Sequence, residues 1–166
     1  MKKLVFLAVA ALMMTACATQ KLTPEEKEAK RQAKQAEVLQ LIKSHYFVTP
    51  MRTMHYSIGG SKQIDYGYNV TVKGDKLISY LPYIGYNRKI GYSSEEGLNF
   101  TAAITDYRID RPRKDANRVQ LVAATPNNIY IFIFLVYDDG NVQLSIRNRD
   151  KEETSFSGEI EPYKED

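Results

Sequence analysis

From residue 47 onward apolar side chains recur at every second position, the period of a β-strand with one buried face. Ile64, Tyr66, Tyr68, Val70 and Val72 alternate with Asp65, Gly67, Asn69 and Thr71, and Lys73-Gly74-Asp75-Lys76 then turns the chain into residues 77–83. This pattern predicts a β-hairpin. A second hairpin is predicted to join residues 129–137 to 142–147 through Asp138-Asp139-Gly140-Asn141, residue types that tolerate positive φ. Residues 130–136 are apolar at every position, which predicts a strand covered on both faces. Val142, Leu144 and Ile146 alternate with Gln143, Ser145 and Arg147, which predicts one wet face. Further strands are expected at 98–109, 118–125 and 154–160, with a weaker one at 47–57. The apolar phase slips between Ile104 and Tyr107, as a bulge near Thr105-Asp106 would require.

Ahead of the strands the period is helical. Thr23-Pro24-Glu25-Glu26 carries a capping residue, proline at the first helical position and glutamate three after the cap, so a helix should start here and run to about residue 45. Its first half is charged, with Glu26 and Lys30 one turn apart, and only Ala29, Ala33 and Ala36 interrupt it. Leu39, Ile42 and Tyr46 supply one apolar stripe to the second half. The expected fold is mainly β: a single antiparallel meander of about 7–8 strands, forming a barrel or a sandwich and preceded by an amphipathic helix.

The N-terminus changes the picture from fold to address. Lys2 and Lys3 precede an apolar run from Leu4 to Met14, too short to span a bilayer, and the run ends at Thr15-Ala16-Cys17. Met14-Thr15-Ala16-Cys17 resembles a lipobox, in which cleavage precedes a cysteine that carries diacylglycerol. The expected layout is a signal peptide at 1–16, a lipidated tether at 17–23, a helical stalk at 24–45, a β-rich domain at 46–162 and a polar tail at 163–166. Two or more acyl chains, each buried CH₂ contributing about 0.8 kcal/mol, suffice as a membrane anchor.

Cleavage would leave about 150 residues, enough for one domain, with a formal charge near +1. Nucleic acid is excluded as a partner, because it calls for a concentrated basic surface. Cys17 is the only cysteine, so once acylated it leaves no thiol for disulfides, metal or catalysis.

Candidate chemistry is sparse. Tyr66, Tyr68, Tyr80, Tyr83, Tyr86 and Tyr92 crowd one segment of a chain without tryptophan. Tyrosine offers a ring for stacking and a hydroxyl for bonding, so the cluster is a candidate ligand surface for a glycan, peptide, lipid or envelope protein; strand packing is the competing reading. Arg108, Arg111, Arg113, Lys114 and Arg118, interleaved with Asp106, Asp110 and Asp115, read as a loop whose alternating signs mute its field. His45 and His55, the two histidines, lack ligands at metal spacing, and no Gly-x-Ser-x-Gly element is present. No cofactor and no catalytic residues are expected.

Residues 70–86, with Val72-Lys73-Gly74-Asp75 followed by Ser79-Tyr80-Leu81-Pro82-Tyr83-Ile84-Gly85-Tyr86, resemble the domain-of-unknown-function 4251 family of Bacteroidetes lipoproteins. Gly97-Leu98-Asn99-Phe100, the hairpin around Gly140 and the closing Phe156-Ser157-Gly158-Glu159-Ile160 follow in the same order, so the resemblance spans roughly residues 45–162. It implies an envelope lipoprotein and carries over no catalytic residues. The expected role is a non-catalytic binding module at the outer membrane, on its periplasmic face; the alternatives are a barrel carrying a small apolar ligand and, behind it, a hydrolase.

Overall fold

In the computed structural model the described residues are 23–57, 59–87, 91–93 and 97–165, with the backbone path alone at 85–87 and 91–93. The expected signal peptide, the lipobox-like segment and most of the expected tether lie outside them. The chain divides into two units, residues 1–30 and 31–166. Of the first, residues 23–30 form the start of helix α1 (Pro24–Ser44). There the Thr23 amide donates to Glu26 Oε2 at 2.8 Å and the Glu26 amide donates to Thr23 Oγ1 at 3.2 Å. This is a reciprocal capping box, which satisfies amides that the first turn leaves without intrahelical partners.

In the second unit α1 places Val38 and Ile42 in the core, with Leu39 and Leu41 packed beside them. Tyr46 does not continue this stripe. His45 adopts a φ of 61°, which ends the helical path, and Tyr46 opens β1 (Tyr46–His55) as a half-exposed residue.

The remaining strands are β2 (Ser61–Gln63), β3 (Asn69–Lys73), β4 (Lys76–Leu81), β5 (Gly85–Asn87), β6 (Gly91–Ser93), β7 (Leu98–Arg113), β8 (Ala116–Ala124), β9 (Ile129–Tyr137), β10 (Asn141–Asn148), β11 (Thr154–Glu159) and β12 (Glu161–Pro162). Eight of them close a meander barrel in the order β1-β3-β4-β7-β8-β9-β10-β11 and back to β1, with every pairing antiparallel. Strands β2 and β12 attach to β1, and β5 pairs with β6 alone. The choice between barrel and sandwich is thereby settled as a barrel.

The closing seam pairs Met51 with Gly158 and His55 with Ser155, and β1 shifts register between Met51 and Thr53. A Cβ at Gly158 would lie 2.0 Å from the Pro50 carbonyl oxygen, so the seam closes only around glycine. A second shift, between Ile104 and Asp106 where β7 meets β8, falls at the predicted bulge. Past it Tyr107 and Ile109 pair with the buried Leu121 and Val119, which returns β7 to the interior phase.

The interior is filled from all sides. Phe47 meets Phe134 edge-on at 6.0 Å, and Phe132 stacks near Phe134 at 6.3 Å and meets Phe100 edge-on at 6.3 Å. An eight-stranded barrel is just wide enough for side chains to fill or for one small ligand. Val38 and Ile42 of α1 and Tyr83, which follows β4, complete the buried cluster.

Two strand expectations need correction. Strand β9 buries Tyr130, Phe132, Phe134 and Val136, whereas Ile131, Ile133 and Leu135 on the outer face are half-buried. On that face Ile133 sits between its cross-strand partners Gln120 and Ser145 and keeps part of its surface open. The alternating run 64–72 is not one strand. The Ile64 amide bonds the Arg52 carbonyl and the Met51 amide bonds the Tyr68 carbonyl, so Asp65, Tyr66 and Gly67 are looped out between two adjacent positions of β1. Gly67, at a φ of 106°, permits the excursion.

Candidate functional site

The looped-out segment places Tyr66 almost wholly in solvent, 95% exposed. Tyr68, at its base, stacks on Tyr80 of β4 with ring centroids 5.3 Å apart and planes 25° apart. Tyr80 is 50% exposed, and two residues along the same face Ile78 is 40% exposed. Three of the clustered tyrosines therefore share one outer region of the barrel.

Tyr83 does not join them. It is 1% exposed, its hydroxyl accepts the Glu152 amide at 3.1 Å, and the Lys151 ammonium lies 4.4 Å from its ring centre. Pro82 ends β4 immediately before it, because proline cannot supply the next ladder donor, and the turned chain drives the ring inward. Tyr86 and Tyr92 are cross-strand partners in the β5–β6 hairpin; their side chains lie outside the described residues.

The cross-strand register places Asn69 opposite Tyr80 and Thr71 opposite Ile78, with Val48 of β1 beyond Thr71. These three residues form the floor of a groove of about 460 Å³, walled on the far side by residues 161–164, a size within the roughly 300–1,000 Å³ common for ligand pockets. The wall is held down at several points. Strand β12 pairs Glu161 with Val48, the Tyr163 amide reaches the Tyr46 carbonyl at 3.4 Å, and the Tyr163 hydroxyl accepts Lys73 Nζ at 3.2 Å. Lys73 also pairs with Glu165 at 2.7 Å. That contact raises the Lys73 pKa and lowers that of Glu165; both groups face water, so the pair adds little stability. Tyr163 and Lys164, which begin the expected polar tail, thus help to build one side of a concave surface.

On the floor, Thr71 Oγ1 donates to Asn69 Oδ1 at 3.3 Å, and Asn69 Nδ2 donates to the Gly67 carbonyl at 2.8 Å. Each group keeps capacity in reserve: one N–H of the Asn69 amide, and the lone pairs of the Thr71 hydroxyl. The floor is uncharged and offers both a donor and acceptors.

The basic cluster is not a loop. Strand β7 runs to Arg113 and β8 starts at Ala116, with a turn at Lys114-Asp115. Its charges answer one another. Arg111 grips Asp138 through both nitrogens at 3.1 and 2.9 Å and reaches Asn117, Arg118 chelates Asp110, and Arg108 meets Asp106 at 2.8 Å. The Arg118 guanidinium holds the Asp110 carboxyl below the usual range.

His45 stacks on Tyr107 at 3.9 Å, and the Tyr107 hydroxyl donates to the Ile42 carbonyl at 2.7 Å. Burial pushes the Tyr107 phenol well above its ordinary value. His55 Nε2 lies 2.8 Å from Ser157 Oγ on a shelf of about 270 Å³ that includes Ser145 and Ser155. No carboxylate completes that pair in the described hydrogen bonds. A third depression, of about 790 Å³, lies on the rim between residues 124–129 and 149–150. Among the described residues no three His, Cys, Asp or Glu side chains converge as a metal would need.

Comparison with known proteins agrees with this architecture. A crystal structure of a DUF4251 family protein from Bacteroides eggerthii DSM 20697 matches with a TM-score of 0.63 and 12% identity, over 81% of this chain and 91% of that one. No curated protein matches. The family model described as a domain of unknown function, DUF4251, matches residues 29–160. The chain belongs to the DUF4251 family.

Proposed function

We propose that this protein is a lipid-anchored module of the bacterial outer membrane, facing the periplasm, that acts by binding and not by catalysis. The observation that carries the binding role is the groove over Asn69 and Thr71 beside the stacked Tyr68 and Tyr80, because it joins concavity, exposed rings and unspent hydrogen-bonding capacity. The anchor rests on Met14-Thr15-Ala16-Cys17 behind an export-type apolar run. Among the described residues no helix is long and apolar enough to cross a membrane.

A closed barrel also suits a carrier of small apolar ligands. The density of rings about Phe132 and Phe134 argues for the outer groove over the interior as the place where a ligand sits.

Cys17→Ser tests the anchor. The serine variant should leave the membrane fraction and partition into the aqueous phase of a detergent split. If it still sediments with membranes after a salt wash, the lipid is not the anchor and the domain itself holds the bilayer or a partner.

A further inference from the structure

Resting on the binding reading above, we propose that the groove between Tyr163 and the Tyr68–Tyr80 stack takes a neutral oligosaccharide, one sugar ring lying on Tyr80 and its hydroxyls reaching Asn69 and Thr71. The ring comes first. Tyr80 is half exposed and is steadied by Tyr68, so it offers an aromatic face whose orientation is set before a ligand arrives. The C–H-bearing face of a pyranose is apolar and its rim is hydroxylated, so it matches a ring bordered by polar groups. Asn69 is the direct cross-strand partner of Tyr80, and adjacent strands lie roughly 4.8 Å apart, about the width of a sugar ring. A sugar hydroxyl is both donor and acceptor; the spare Asn69 N–H can donate to it and the Thr71 oxygen can accept from it.

The topology argues against an extended peptide at this place. Peptides that dock on sheets gain affinity by pairing their backbone with a free strand edge. The groove lies over β1 and β3, and β3 is hydrogen-bonded on both sides, to β1 and to β4. At residues 47–48 β1 is likewise paired on both sides, to β3 and to β12, so the floor offers no free edge to extend. A ligand must be recognised through side chains, which a saccharide can do and a peptide backbone cannot. The floor is uncharged, the wall carries one charge of each sign in Glu161 and Lys164, and Lys73 is engaged by Glu165, so no net charge favours uronic acids or phosphorylated headgroups over neutral sugars.

The test is affinity electrophoresis of the full-length lipoprotein, extracted in a detergent without a sugar headgroup. Gels contain amylopectin, xylan or galactomannan, with polygalacturonate as the anionic control. At least one neutral polysaccharide should retard the wild type. Tyr80→Ala should weaken that retardation by roughly tenfold or more while Tyr80→Phe retains it, because the ring and not the hydroxyl does the stacking. Both variants should melt with the wild type, since the altered side chain projects from the outer face. Retardation that survives Tyr80→Ala, or that only polygalacturonate produces, overturns the proposal. A parallel column of immobilised protein is offered a tryptic peptide pool. Peptide retention lost in Tyr80→Ala, without polysaccharide binding, overturns the saccharide but keeps the binding module; silence in both arms overturns both.

Discussion

Tyr107→Phe removes one oxygen and tests how the helix is fastened to the barrel. The Tyr107 hydroxyl donates to the Ile42 carbonyl at 2.7 Å. That carbonyl belongs to the last turn of α1, and the amide four residues on, Tyr46, is taken by Ser44 Oγ at 3.1 Å. No helical donor is left for it, so the phenol is its partner. Deleting the hydroxyl leaves a carbonyl of the fully buried Ile42 unsatisfied, which costs about 1–3 kcal/mol. For a domain of this size each kcal/mol lowers Tm by roughly 2–4 °C, so a thermal melt at pH 7 should show a drop well outside error.

Alkali supplies a second readout. Burial raises the Tyr107 pKa in the folded state above its unfolded value of about 10. A raised pKa means that the folded protein keeps its proton while the unfolded chain loses it. The contribution is intact below about pH 10 and falls as pH climbs from there toward the folded pKa. The phenylalanine variant lacks this term, so the gap between the two proteins should narrow above about pH 10. Equal melting at pH 7 would show that the bond does not fasten the helix, and a constant gap in alkali would show that the phenol is not sequestered.

Other substitutions probe the barrel wall. Phe132→Ala and Phe134→Ala should each cost about 3–5 kcal/mol in denaturant unfolding, because both rings are fully buried on the inner face. Ile133→Ala, one position away on the half-buried outer face, should cost clearly less; an equal loss would mean that something covers the outside of β9. Gly158→Ala should destabilise by at least about 1–3 kcal/mol, since the new methyl would meet the Pro50 carbonyl at 2.0 Å and press β1 from β11. Hydrogen exchange should then quicken first along the β1–β11 ladder, and uniform protection across the barrel would refute the seam argument.

Much of this fold is written in local periodicity. The capping box at Thr23 and Glu26, the strand pair on either side of Gly140 and the bulge near Thr105 each depend on residues close in sequence, and each is legible without coordinates. The run 64–68 misled because alternation records which residues would share a face if the strand continued. It cannot show that Arg52 and Met51 bond Ile64 and Tyr68 and leave three residues outside. For β9, continuous apolarity could not separate a strand buried on both faces from one whose outer face is only half-buried.

The candidate site divides in the same way. Tyrosine crowding was visible in the sequence, but Tyr83 turned inward and Tyr66 outward according to where Pro82 ended one strand and Gly67 looped another. Tyr163, Asn69 and Val48 come from three distant stretches, and no spacing rule connects them. Only closure of β11 onto β1, which sets β12 beside β1, brings them to one groove. Strand period and caps are nearest-neighbour physics and survive in the sequence; a surface assembled across a closed barrel depends on long-range pairing, which the tertiary structure alone decides.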